Sequence, residues 1–316
     1  MRMGCAALAS VCLGLALTAS AQSNSDFNCA STRANENRPA VVATTLGETP
    51  ALVRIPARIT HSPIVLWHGF GPPASEQALM EALPLDDVPA VKVYLGLPMF
   101  GSRAPAGGAK ELARRQQQDL ATLVFEPAVL GAAKELSAVV RALEEHGCLK
   151  RRERIGLFGF SAGGAAVLYA LAERDVPIAS AVTLNASTGL SASVKAYERA
   201  TKGSYSWTDE ARTLALRSDA AGRAKDIVKG HPPPALLIIH GNDDAMLTPE
   251  VASTLHRALQ PLYYEAEAAQ SLQLLLVPGM AHGWTNPGTL EAMRGAIGTW
   301  FGKYTGSSCE SVGLRC

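Results

Sequence analysis

Three side chains spread over this 316-residue chain are of the types that nucleophilic attack on a carbonyl requires. Gly159-Phe160-Ser161-Ala162-Gly163 is a G-x-S-x-G segment, with apolar Ile155 to Phe158 before it and Gly164-Ala165-Ala166-Val167-Leu168 after it. Glycine on either side of the serine lets a strand turn sharply into a helix. The turn exposes the serine oxygen, and the N-terminus of the helix faces the negative charge that develops on a substrate. A neutral hydroxyl is a weak nucleophile, so it needs a base, and the base needs an acid to orient it. Asp244 follows the apolar run 235–240 in His240-Gly241-Asn242-Asp243-Asp244, and His282 follows the run 272–277 in Pro278-Gly279-Met280-Ala281-His282-Gly283-Trp284. Asp243 lies on the same turn and competes for the acid's role. Acyl transfer also needs donors for the oxyanion. His68-Gly69-Phe70-Gly71 follows the apolar run Ile64 to Trp67, so the backbone N–H groups of Phe70 and Ala162 are the expected pair, with His68 bracing the loop.

These residues must be held by strands. Near-continuous apolar runs at 51–57, 63–68, 90–97, 154–160, 178–185, 235–241 and 272–277 read as strands buried on both faces. Helical patterns around 128–146, 162–174, 249–263 and 287–303 alternate with them, which predicts a mostly parallel, doubly wound α/β sheet. Ser161, Asp244 and His282 then all lie just beyond strand C-termini, the edge where open α/β sheets place their sites. Two segments break the alternation: 99–127, with its Gly107-Gly108 pair, and 187–234, Ser-rich and then charged. Insertions of this size form lids and pocket walls, or decorate the surface. Trp67, Met99, Phe100 and Trp284 are the candidates for lining an acyl pocket, with the core as their alternative place.

On these motifs the chain resembles the α/β-hydrolase superfamily over most of residues 50–303, with spacing similar to dienelactone hydrolases and the hydrolase domain of prolyl oligopeptidase relatives. The resemblance implies a Ser161–His282–Asp244 triad, with the family spacing favouring Asp244 over Asp243, and hydrolysis of an ester or amide through an acyl-enzyme without a cofactor. Dienelactone hydrolases use cysteine where this chain has Ser161, which departs from that specific activity. The chain has no room for the propeller of oligopeptidases.

A formal charge of 29 minus 28, or +1, lacks the basic footprint of a nucleic-acid-binding protein. Residues 1–21 carry one charge, Arg2, then an apolar run ending in Ala19-Ser20-Ala21, a pattern that signal peptidase accepts. The expectation is a secreted or periplasmic protein cleaved after Ala21, with no membrane anchor left. An extension at 22–50, a catalytic domain at 51–303 and a Cys-containing tail at 304–316 follow. Cys29, Cys148, Cys309 and Cys316 then allow three disulfide connectivities, which the sequence leaves open. No CxxC, HExxH or i, i+4 His pair suggests a metal. Gly69-Phe70-Gly71-Pro72-Pro73-Ala74 matches a dinucleotide fingerprint, but two prolines remove N–H groups that a pyrophosphate needs. The expected activity is carboxylic ester hydrolysis on a small-molecule or peptide substrate. A peptidase or amidase with the same residues is the alternative, and an inactive binding module a third.

Overall fold

A computed structural model describes residues 27–32 and 38–306. Eight strands form one sheet among them: β1 (Ala40–Leu46), β2 (Thr49–Ile55), β3 (His61–Trp67), β4 (Ala90–Leu95), β5 (Ile155–Phe160), β6 (Ile178–Leu184), β7 (Ala235–Gly241) and β8 (Leu272–Val277). Their order is β1-β2-β4-β3-β5-β6-β7-β8. The β1–β2 hairpin and the β2–β4 pair are antiparallel, and β4, β3 and β5 to β8 run parallel. With the helices below, this is the α/β-hydrolase fold.

Strands β4, β5 and β7 are buried at every position, as their unbroken apolar runs require. The observed strands end within three residues of the runs read from sequence. The segment 22–50, expected as an extension, instead supplies β1. This edge strand is only half buried, so its apolar signal is diluted; its turn, Gly47-Glu48, has Gly47 at φ +62°.

Helices α1 (Glu76–Ala82), α2 (Gly108–Leu120), α3 (Gly131–Glu145), α4 (Ala162–Glu173), α5 (Leu190–Thr201), α6 (Asp209–Ser218), α7 (Ala224–Ile227), α8 (Glu250–Glu265) and α9 (Pro287–Tyr304) cover the sheet. Alternate strand residues feed two cores. Ile64, Leu66, Tyr94, Phe158 and Phe160 pack against α1 and α9, while Val65, Val93, Leu157, Ala181 and Ile238 pack against α3, α4 and α8. Helix α4 is buried along all but its last residue, which explains its run of small and apolar residues in place of an amphipathic stripe.

Both insertions are helical. The first holds α2, then a wide-turned π-helical stretch at 121–130 that contains Pro127 and continues into α3. The second holds α5, α6 and α7. Tyr205 in the second donates its hydroxyl to Asp119 in the first at 2.7 Å.

Cys29 and Cys148 form a disulfide, and Phe27 stacks on His146 beside it at 4.4 Å. The leader expected at 1–21 with its expected cleavage after Ala21, as well as Cys309 and Cys316, lie outside the described residues. Among those residues, no helix is long and apolar enough to cross a membrane.

Candidate active site

Ser161 stands between β5 and α4 at φ +53°, ψ −114°, a conformation that non-glycine residues adopt only where the surroundings enforce it. Its N–H donates to the Leu184 carbonyl at 3.0 Å, and its carbonyl accepts from the Ser187 N–H at 3.2 Å. Close approach does the rest. A Cβ on Gly163 would lie 2.4 Å from the His68 carbonyl oxygen, and one on Gly69 2.8 Å from the Ser161 Cβ. The loop at 68–71 and the turn at Ser161 therefore touch only because both positions are glycine.

His282 reaches in from the loop after β8. Its Nε2 is 3.0 Å from Ser161 Oγ and its Nδ1 is 2.8 Å from Asp244 Oδ2. With the proton on Nδ1 donated to the carboxylate, Nε2 is left with a lone pair facing the serine hydroxyl. Asp244 is fully buried on the turn after β7. Its Oδ1 accepts from the N–H groups of Met246 and Leu247 at 2.9 and 2.8 Å, and His240 Nε2 lies 3.4 Å from its Oδ2. Burial alone would raise its pKa, but hydrogen bonds from His240, His282 and Leu247 and the His282 charge hold it well below the ordinary carboxylate range. The acid stays ionised. Asp243 is exposed, and among the described residues no hydrogen bond or ion pair joins its side chain to the serine or the histidine.

Phe70 and Ala162 follow Gly69 and Ser161 directly. Neither backbone N–H has an acceptor among the described residues, and Ala162 opens α4. His68 is buried, accepts the Leu97 N–H on Nε2 at 3.1 Å and donates from Nδ1 to the Gly69 carbonyl at 2.7 Å. Burial, against the raising effect of that Gly69 bond, pushes its pKa down and keeps it a neutral bridge.

The four candidate pocket residues divide. Phe100 stacks on Phe70 at 4.4 Å with the rings 6° from parallel, and Met99, half-buried at φ +70°, precedes it. Trp67 and Trp284 belong to the two cores at 1% and 0% exposure, so they present no surface to a substrate. Large aromatic residues at strand ends fill the core as readily as they line a pocket, and the sequence pattern is the same for both.

Two residues escaped the sequence reading. His240 ended an apolar run, yet its Nε2 donates to the Leu247 carbonyl at 2.6 Å and closes the turn that carries Asp244. Asn185, at the end of β6, bonds to the loops of both Asp244 and His282. A single asparagine after a strand gives no signal beyond a turn. Among the described residues no group of three or more His, Cys, Asp or Glu side chains is placed to hold a metal.

The fold is shared with known proteins. The TT1662 protein of Thermus thermophilus is 20% identical with a TM-score of 0.62, over 84% of this chain and 98% of that one. A puromycin-hydrolyzing peptidase of Mycobacterium tuberculosis is 18% identical with a TM-score of 0.58, over 85% of this chain and 39% of that one. Carboxyl esterase 2 of the mycorrhizal fungus Tuber melanosporum is 20% identical with a TM-score of 0.55, over 86% and 88%. This chain thus spans about two fifths of the peptidase and most of the other two. At such identities the likeness establishes the fold. No curated protein matches the sequence. The prolyl oligopeptidase family, however, matches residues 131–308, more than half of the chain, and the protein belongs to that family, as a serine hydrolase of the α/β-hydrolase superfamily.

Proposed function

We propose that this serine hydrolase is a carboxylesterase acting on small or medium acyl esters, with Ser161 as nucleophile, His282 as base and Asp244 as orienting acid. The observation that carries the proposal is the unbroken Ser161–His282–Asp244 hydrogen-bond relay at 3.0 and 2.8 Å. His282 Nε2 takes the hydroxyl proton as Ser161 Oγ adds to the ester carbonyl. The N–H groups of Phe70 and Ala162 receive the oxyanion. As the tetrahedral intermediate collapses, the imidazolium returns its proton to the departing alkoxide, and an alcohol leaves. Water, deprotonated by the same imidazole, then hydrolyses the acyl-enzyme and regenerates Ser161. Asp244, ionised throughout, stabilises the imidazolium.

An apolar acyl group is supported by the Phe70–Phe100 stack beside the oxyanion loop, with Met99 next to it. The leader at 1–21 supports export, and the Cys29–Cys148 disulfide suits an oxidising compartment. Peptide or amide hydrolysis is the second reading, favoured by the family match.

The test is hydrolysis of p-nitrophenyl butyrate against an acyl p-nitroanilide, with Ser161→Ala beside the wild type. The expected result is ester turnover that falls roughly 10⁴-fold or more in the variant. A loss under about tenfold would remove Ser161 from the mechanism. Faster cleavage of the anilide than of the ester would move the assignment to the peptidase reading.

A further inference from the structure

Ala281 and His282 sit in an irregular loop between Val277 and the start of α9 at Pro287. Among the described residues, the only donor to either backbone carbonyl is the Asn185 amide, whose Nδ2 lies 3.0 Å from the Ala281 oxygen and 2.9 Å from the His282 oxygen. The Asn185 Oδ1 accepts the Gly241 N–H at 2.8 Å, at the base of the turn that carries Asp244. Its backbone N–H donates to the Ile239 carbonyl at 2.9 Å. On its N-terminal side, the Leu184 carbonyl holds the Ser161 N–H; two residues on, the Ser187 N–H holds the Ser161 carbonyl. Asn185 itself is fully buried and held at φ +44°.

Three separate loops carry the nucleophile, the base and the acid, and Asn185 is bonded to the second and third while its own strand end clasps the first. Only an amide of this length satisfies the arrangement. It offers two N–H donors to two carbonyls and one oxygen to an N–H, whereas an ionised carboxylate would set one oxygen against both carbonyls.

We propose that Asn185 is a positioning residue for the hydrolysis: it fixes the backbone of His282 and so sets where Nε2 stands relative to Ser161 Oγ. This rests on the reading of Ser161 and His282 given above. It predicts a defect in turnover rather than in substrate affinity, because the group displaced is the base and the acyl pocket is untouched. A shift of about 1 Å in a reacting group costs on the order of 100-fold in rate.

The test replaces Asn185 by Asp and, separately, by Ser, counts folded sites by reaction with a serine-directed phosphonate, and measures p-nitrophenyl butyrate hydrolysis per labelled site across pH. Asn185→Asp has a built-in handle. A protonated carboxyl still donates one hydrogen bond to the loop, and an ionised one donates none. The groups that titrate around it, His282, Asp244 and His240, are common to both proteins and largely cancel in their ratio. The expected result is a kcat about 100-fold below wild type per labelled site with KM within about threefold, and a deficit that grows as pH rises through the new carboxyl. A per-site kcat within about threefold of wild type, or a deficit constant with pH, overturns the proposal. So does failure of both variants to fold, since Asn185 would then be a fold determinant. A wild type that neither labels nor turns over brings down the reading of the site itself, and this inference with it.

Discussion

Two buried charges sit at opposite ends of the same sheet and are treated in opposite ways. Asp244, on the turn beyond the C-terminal end of β7, receives two backbone N–H groups and the His282 imidazole, with the His240 imidazole 3.4 Å away. Lys92, fully buried towards the start of β4, has a single side-chain hydrogen bond among the described residues, from Nζ to the Val88 carbonyl at 3.0 Å. Burial pushes Lys92 down to about 8, against the raising influence of nearby Asp86, while the donors around Asp244 hold its pKa far below the usual range despite burial. Desolvation penalises both ions. The difference is whether the protein replaces the lost water. Around Asp244 it does so three times over, with a further imidazole close by, which keeps the group charged; around Lys92 it does so once, and the charge is a cost to the fold.

Asp244→Asn gives the largest effect expected from this contrast. The amide can keep its oxygen on the Met246 and Leu247 N–H groups, so the fold should hold. Its NH₂ then faces His282 Nδ1 and His240 Nε2, where only an acceptor belongs. The imidazole is driven to the other tautomer and loses the lone pair aimed at Ser161. Turnover of p-nitrophenyl butyrate is expected to fall about 10⁴-fold with little change in the unfolding midpoint. Loss of fold with normal turnover in the folded fraction would make Asp244 a structural ion like Lys92, and the comparison would fail.

Lys92→Met works from the other side. Val88 keeps a donor in the Ala90 N–H at 2.8 Å, so removing the ammonium leaves no orphaned carbonyl. A drop from 10.5 to about 8 corresponds to roughly 3 kcal/mol of destabilisation at neutral pH. The variant is expected to raise the urea midpoint at pH 7 and to leave turnover unchanged. Between pH 8 and about 10.5 the unfolded chain binds a proton that the folded chain does not, so wild-type stability rises with pH relative to the variant. The gap between the two should narrow across that window. A gap that stays constant with pH would mean that Lys92 is charged and well solvated in the fold.

Much of this site was legible in the sequence because the chemistry dictates residue types at chain positions that strands make obvious. Ser161, Asp244 and His282 each follow a run that is apolar at nearly every residue, and strand ends fix where such residues go. The same patterns were silent wherever the answer depended on a partner far along the chain. Trp67 and Trp284 read equally well as pocket or core, and only packing against both helical layers decided for the core. Strand β1 was hidden because an edge strand need not be apolar. Asn185 was invisible for a sharper reason. Its three side-chain bonds reach residues 56 to 97 positions away, and no local pattern encodes a bond of that range.

Asp119 offers the smallest test and the most discriminating. Like Asp244 it accepts several hydrogen bonds, from the Ala121 and Thr122 N–H groups, the Thr122 hydroxyl and Tyr205. Those bonds likewise lower its pKa against burial. Yet it sits where the first insertion breaks from α2 into the wide helix, at φ −163°, ψ 102°, and reaches no member of the Ser161–His282–Asp244 relay. Tyr205→Phe removes one of its four donors and a bond that joins the two insertions, leaving the Arg217–Glu126 ion pair between them. Three donors remain, and the group is partly solvated, so the expected loss is about 1 kcal/mol of stability, measured by urea unfolding, with turnover of p-nitrophenyl butyrate unchanged. If turnover fell or acyl-chain preference shifted while stability held, the insertions would be walls of the pocket. The division between a carboxylate kept for chemistry and one kept for structure would then have to be drawn beyond the three loops that carry the relay.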